Sequence, residues 1–135
     1  MKYKGATSVF YTKERITSFT QLKAWQNARE FAVYIYALTR SFPPEERFGL
    51  SSQIQRSAVS VSANLAEGFS RNSAKDKAQF YTVALGSLTE TLSHLYIAID
   101  LGYIAKDEAL IFEDKFTALH KLINGLIKSA QSRGY

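Results

Sequence analysis

The sequence predicts an all-α fold: an antiparallel up-down-up-down four-helix bundle preceded by an irregular N-terminal arm. Three observations lead there. The 135 residues include only two prolines, adjacent at Pro43 and Pro44, so everything from Glu45 onward lacks the residue that breaks helices. Four stretches carry apolar residues at spacings of three and four, the period of an amphipathic helix. The gaps between those stretches are a few residues long, which turns each helix back along the one before it. With 46% hydrophobic residues the chain can bury a core, and its length suits one domain.

Residues 1–18 read as a basic arm with weak periodicity, and 19–135 as the bundle domain. The first helix is expected after Phe19, capped by Thr20, and runs to about Ser41. Its inward line is Leu22, Trp25, Ala28, Ala32, Ile35, Leu38 and Phe42, and the Pro43–Pro44 pair ends it. Phe31 and Tyr34 lie off that line and are expected to face a second subunit. Ser51 or Ser52 would cap the second helix, whose row is Ile54, Ala58, Val61 and Leu65. Gly68 would end it in a left-handed conformation. Ser73 with Asp76 resembles a capping box opening the third helix, whose row is Tyr81, Leu85, Leu88, Leu92, Leu95 and Ile99, with Gly102 closing it. The fourth runs from about Lys106 to Arg133 on Phe112, Phe116, Leu119, Ile123, Leu126 and Ala130.

Charge leaves two readings open: a surface for polyanionic partners, or a solvated surface that happens to be basic. The second is the better fit for helices two to four, whose charge sums to about zero. The formal net charge is +5, and Lys2, Lys4, Lys13 and Arg15 concentrate it in the arm against Glu14 alone. With Lys23 and Arg29 these are the nucleic-acid candidates, and Tyr3, Phe10 and Tyr11 are available for base stacking. The first residues lack an apolar core of signal-peptide length, and the longest apolar run, Phe31 to Leu38, is far short of the ~20 residues of a membrane span. A cytoplasmic protein with no membrane partner is therefore expected.

A second stripe on the second helix is polar: Gln53, Arg56, Ser57, Ser60, Asn64, Glu67 and Gly68. It reads either as a binding or subunit face, or as internal hydrogen bonds that fix helix register. Folding back near residues 71–72 places Arg56 within a turn of Glu90, so an Arg56–Glu90 pair is expected. If it were buried, Arg56→Ala would cost about 3–5 kcal/mol. Gly86, mid-helix beside Ser87, implies a closely approaching backbone.

Enzyme chemistry finds little to work with. There is no cysteine, which removes thiolate metal sites and a cysteine nucleophile. His94 and His120 would lie roughly 9 Å apart along the bundle axis, too far to share an ion. No Glu-x-x-His pair, phosphate loop or nucleophile elbow is present. No catalytic residue, cofactor, metal or small-molecule substrate is expected.

Several pieces together carry a resemblance. They are Leu22-x-x-Trp25-Gln26-x-Ala28, Phe42-Pro43-x-Glu45-x-x-x-Gly49-Leu50, Gln53-x-x-Arg56, and Ser60-x-x-Ala63-Asn64-Leu65-Ala66-Glu67-Gly68. Gly86-Ser87-Leu88-x-Glu90 and Leu101-Gly102-Tyr103 follow. Across roughly residues 19–127 the chain resembles the four-helix-bundle proteins of the 23S rRNA intervening-sequence family. The resemblance implies a bacterial homo-oligomer, with a ring-shaped pentamer as the expected form. Founding members are encoded within inserted segments of 23S rRNA genes. A relative of the same shape is the accessory protein of diversity-generating retroelements, which helps a reverse transcriptase and contacts nucleic acid. None is known as an enzyme. Two functions follow as expectations: binding of RNA or DNA through the basic surface, or a protein-interaction scaffold of the reverse-transcriptase accessory type with no nucleic-acid role of its own.

Overall fold

A computed structural model of the chain describes residues 15–133. Lys2, Lys4 and Lys13 lie outside the described residues. Within them are four helices, α1 (Lys23–Thr39), α2 (Leu50–Ser70), α3 (Ala74–Asp100) and α4 (Glu108–Gln131), and no strand. Short 3-10 turns at Phe19–Gln21 and Pro44–Glu46 precede α1 and α2.

The helix ends follow local chemistry, with some changes of actor. Ser18, not Thr20, opens the first turn: its hydroxyl accepts from the Thr20 amide, and the Gln21 side chain reaches back to the Ser18 N–H at 3.0 Å. At α2 neither Ser51 nor Ser52 caps. Glu46 Oε1 accepts from the Leu50 amide at 2.9 Å, because the preceding turn brings a longer side chain to the exposed N–H. Ser73 caps α3 as expected, accepting from the Asp76 amide at 3.0 Å. Gly102 takes φ of +80°, and the bonds Gly102 N–H to Ile99 O and Tyr103 N–H to Ala98 O complete the turn that ends α3.

On α2 the predicted row is fully buried: Ile54, Ala58, Val61 and Leu65. On α1 the core-facing line is rotated from the expected one and passes through Ala24, Ala28, Phe31, Ile35 and Thr39. Phe31 therefore belongs to the core and not to a second face. Tyr34 is half-buried and donates to Glu108 at the start of α4 at 2.6 Å. Burial first, then the bond to Glu108 and its charge, push the Tyr34 hydroxyl above its usual pKa. Thr39 tolerates burial because its hydroxyl donates to the Ile35 carbonyl at 2.9 Å and accepts from Gln55 at 3.0 Å.

α2 and α3 meet along small residues. α2 continues through Gly68 to Ser70, and Gly68 is helical, not left-handed. A Cβ there would lie 2.7 Å from the Tyr81 ring, so the missing side chain is what admits Tyr81. Gly86 is the reverse case. It is exposed, with nothing within 4 Å of where its Cβ would stand, so no backbone approaches it within the chain.

At one end of the bundle, Leu22, Phe69, Tyr81, Leu126 and Ala130 come together. That end holds the starts of α1 and α3 and the finishes of α2 and α4. At the other end Tyr103 packs on Phe42 and donates to Glu46 at 2.8 Å. The Leu50 amide and then the Tyr103 hydroxyl hold the Glu46 carboxyl below its ordinary range. α1 and α4 are less closely joined, with an open groove of about 240 Å³ between them, lined by Asn27, Glu30, Phe31, Asp114, Lys115 and Ala118.

Two glycine substitutions should move stability in opposite directions. Gly68→Ala should lower it by about 1–3 kcal/mol by overpacking against the buried Tyr81 ring. Gly86→Ala should raise it by up to about 1 kcal/mol, because a helix interior gains from the added methyl and nothing obstructs it. Urea titration followed by circular dichroism measures both.

Candidate nucleic-acid interface

The polar stripe of α2 is largely engaged by α3. Ser57 and Thr91 are buried and lie 2.7 Å apart, oxygen to oxygen. Ser57 also reaches the Ile54 carbonyl at 3.1 Å, and Thr91 the Ser87 carbonyl at 2.8 Å. Two hydroxyl protons serve three contacts, so one hydroxyl donates across the seam while the other donates to its own helix. Further along, Ser60 meets Ser87 at 2.9 Å, and Asn64 donates to the Ser60 carbonyl and hydroxyl at 2.8 and 3.0 Å. Glu67 leaves this seam and pairs with Arg71 at 2.6 Å on the surface.

Arg56 does meet Glu90, at 3.5 Å, but the site is not buried: the side chains are 62% and 41% exposed. Arg56 also donates to Gln53 at 2.8 Å, and His94 approaches the same Glu90 oxygen at 3.2 Å. The pair caps the outside of the α2–α3 seam, where water screens it. His120 sits apart, beside Asn124 and the Phe116 ring. Among the described residues no three His, Cys, Asp or Glu side chains gather as a metal site, and no helix is long and apolar enough to cross a membrane.

Of the nucleic-acid candidates that are described, Arg15, Lys23 and Arg29 are all exposed. Lys23 and Arg29 are roughly 120° apart around α1, so they do not share a face. Arg29 lies over the Trp25 ring, 4.8 Å from its centre. The larger basic feature comes from how the helices are arranged. Arg15, Lys23, Arg29, Arg71, Lys75, Lys77, Lys121, Lys128 and Arg133 fall in the half of the bundle where α1 and α3 begin. Only Glu30, Glu67 and Asp76 accompany them, a formal net of +6. In the opposite half, Arg40, Arg47, Arg56, Lys106 and Lys115 stand against eight acids: Glu45, Glu46, Glu90, Asp100, Asp107, Glu108, Glu113 and Asp114. That half nets −3.

The small total charge of α2 to α4 thus hides a strong polarity. Folding adds to the arm's charge by gathering separate helix halves into one positive end, which Arg15 of the arm also joins. Two guanidinium–aromatic stacks occupy that end, Arg29 on Trp25 and Arg71 on Phe80 at 4.5 Å. Such an arrangement suits phosphates and exposed bases together. The only linear signal was the position of each lysine and arginine relative to the turns.

Comparisons with known proteins agree with the helical architecture. The family model described as 23S rRNA-intervening sequence protein matches residues 20–125. A solved structure is similar with a TM-score of 0.69 and 29% identity, covering 78% of this chain and 98% of the other. It is the crystal structure of a protein of unknown function from the S23 ribosomal protein family of Bacteroides thetaiotaomicron VPI-5482. No curated protein matches the chain.

Because the Arg56–Glu90 pair lies at the surface, Arg56→Ala should cost less than about 1 kcal/mol. Thermal unfolding checks this; a loss of several kcal/mol would mean the pair is desolvated after all.

Proposed function

The chain belongs to the 23S rRNA-intervening sequence protein family, and on that premise we propose that it is a non-enzymatic, homo-oligomeric, up-down-up-down bundle that binds RNA through its basic end. The observation that carries this reading is the charge separation of +6 against −3 between the two halves. A positive end attracts phosphates by counterion release, and an oligomer multiplies that field by its subunit number. Lys2, Lys4 and Lys13 precede Arg15 in the sequence and add three positive charges against Glu14.

For assembly, a ring-shaped pentamer is the form we propose. Val33 and Tyr36 support a subunit contact: both are exposed on α1, on its outward side and three residues apart. They take over the interface role expected of Phe31 and Tyr34. The same exposed residues favour a second reading, a cytoplasmic scaffold that docks a protein partner and has no nucleic-acid role.

One set of measurements separates the readings. Affinity for a structured RNA, followed by fluorescence anisotropy, should fall about tenfold or more between 50 and 200 mM salt. Charge reversal at Lys75, Lys121 and Lys128 should abolish binding, while reversal at Arg40 and Arg47 should leave most of it. Light scattering on the same samples should give a mass several times 15.2 kDa. RNA binding that ignores salt, or depends equally on both ends, overturns the RNA reading. A mass near a single chain overturns the oligomer.

A further inference from the structure

The basic end contains a recess that a surface for RNA does not require. A cavity of about 500 Å³ opens there between the start of α3 and the ends of α2 and α4. Leu22, Phe69, Leu126 and Ala130 form an apolar wall, and Lys77, Tyr81, Ser129 and Arg133 give the rest of the lining its polar groups. The volume is in the range of small-molecule sites. Among the described residues no carboxylate lines the cavity. Lys77 and Arg133 form no ion pair among those residues either.

Lys77 is fixed in the wall and not swept out to solvent. Its ammonium donates to the Phe69 carbonyl at 2.6 Å and lies 5.0 Å from the centre of the Phe69 ring. One of its three donors is used, leaving two for a ligand. Loss of solvent, and next the Arg133 charge, pull the Lys77 pKa below its ordinary value. Arg133 approaches the Ser129 hydroxyl at 3.4 Å, a neutral contact that does not balance its charge.

We propose that this cavity binds a small amphiphilic anion, with a carboxylate or phosphate monoester head held by Lys77 and Arg133 and an apolar body against Leu22, Phe69, Leu126 and Ala130. The anion relieves the repulsion between the two cations, and the Arg133 fork can bind a carboxylate or phosphate through two parallel bonds. The body displaces water from the apolar walls.

Titration calorimetry on the full chain tests this with four probes: octanoate, octyl phosphate, octanol and inorganic phosphate, all below micellar concentration. Octanoate or octyl phosphate should bind saturably, and the tighter of the two identifies the head group. Octanol and inorganic phosphate should each bind at least about tenfold more weakly, since each supplies only half of the recognition. Lys77→Met and Arg133→Gln should each weaken the anion about tenfold, with circular dichroism unchanged. Lys121→Gln, at the same end but outside the cavity lining, should not. Octanol binding as tightly as octanoate would overturn the proposal. So would anion binding unaffected by either cavity variant, or no binding of either amphiphilic anion at millimolar concentration. The outcome is independent of the RNA reading, because RNA affinity follows the charge of the whole end and octanoate follows these two cations.

Discussion

The close seam between α2 and α3 is the constraint on which the other features depend. Where Gly68 has no side chain, the Tyr81 ring occupies the space, and a Cβ would stand 2.7 Å from it. That proximity brings Ser57 to Thr91 and Ser60 to Ser87 within hydrogen-bond distance. Removal of either hydroxyl of the Ser57–Thr91 pair alone would deprive the other, still buried, of its cross-seam partner, at about 1–3 kcal/mol. The same contact sets the geometry of the basic end. Phe69 follows Gly68, and Lys77 lies one turn before Tyr81, so the seam positions both the carbonyl and the ammonium that meet at the cavity wall.

The seam also decides where function can reside. Most of the small polar residues of α2 are satisfied within the chain, leaving little for a partner to recognise along that line. Side chains available to partners lie elsewhere, among them the basic end, the exposed Val33 and Tyr36 of α1, and the end cavity. Long-range electrostatics and a shaped recess are different kinds of recognition, and here they share one end of the molecule. The acidic opposite end, tied by Tyr103 to Glu46 and by Tyr34 to Glu108, would repel a polyanion.

How much of this could be read from the chain depends on how local each determinant is. The α2 row, the Ser73 cap and the Gly102 turn are set by residues within a few positions, and all three were legible. The Arg56–Glu90 contact followed from counting back across one short turn, but its exposure did not, since burial depends on what else packs there. On α1, apolar residues around much of the circumference gave several plausible inward lines, and neighbouring helices selected the one through Phe31. Gly68 and Gly86 look alike in sequence. Only the position of Tyr81 makes the first a packing device, while the second faces open space. Charge polarity was the least legible feature, because it arises when four helix halves distant in sequence meet.

If the α2–α3 seam is the framework of the bundle, it should be the last part to open. Native-state hydrogen exchange, resolved by residue, tests this most directly. The slowest amides should lie in the middle of α2 and α3, around Ser57, Val61, Leu88 and Thr91. Those of α1 and α4, separated by the open groove between Phe31 and Lys115, should exchange faster. Amides of α1 or α4 protected as strongly as those beside the Ser57–Thr91 contact would contradict the account.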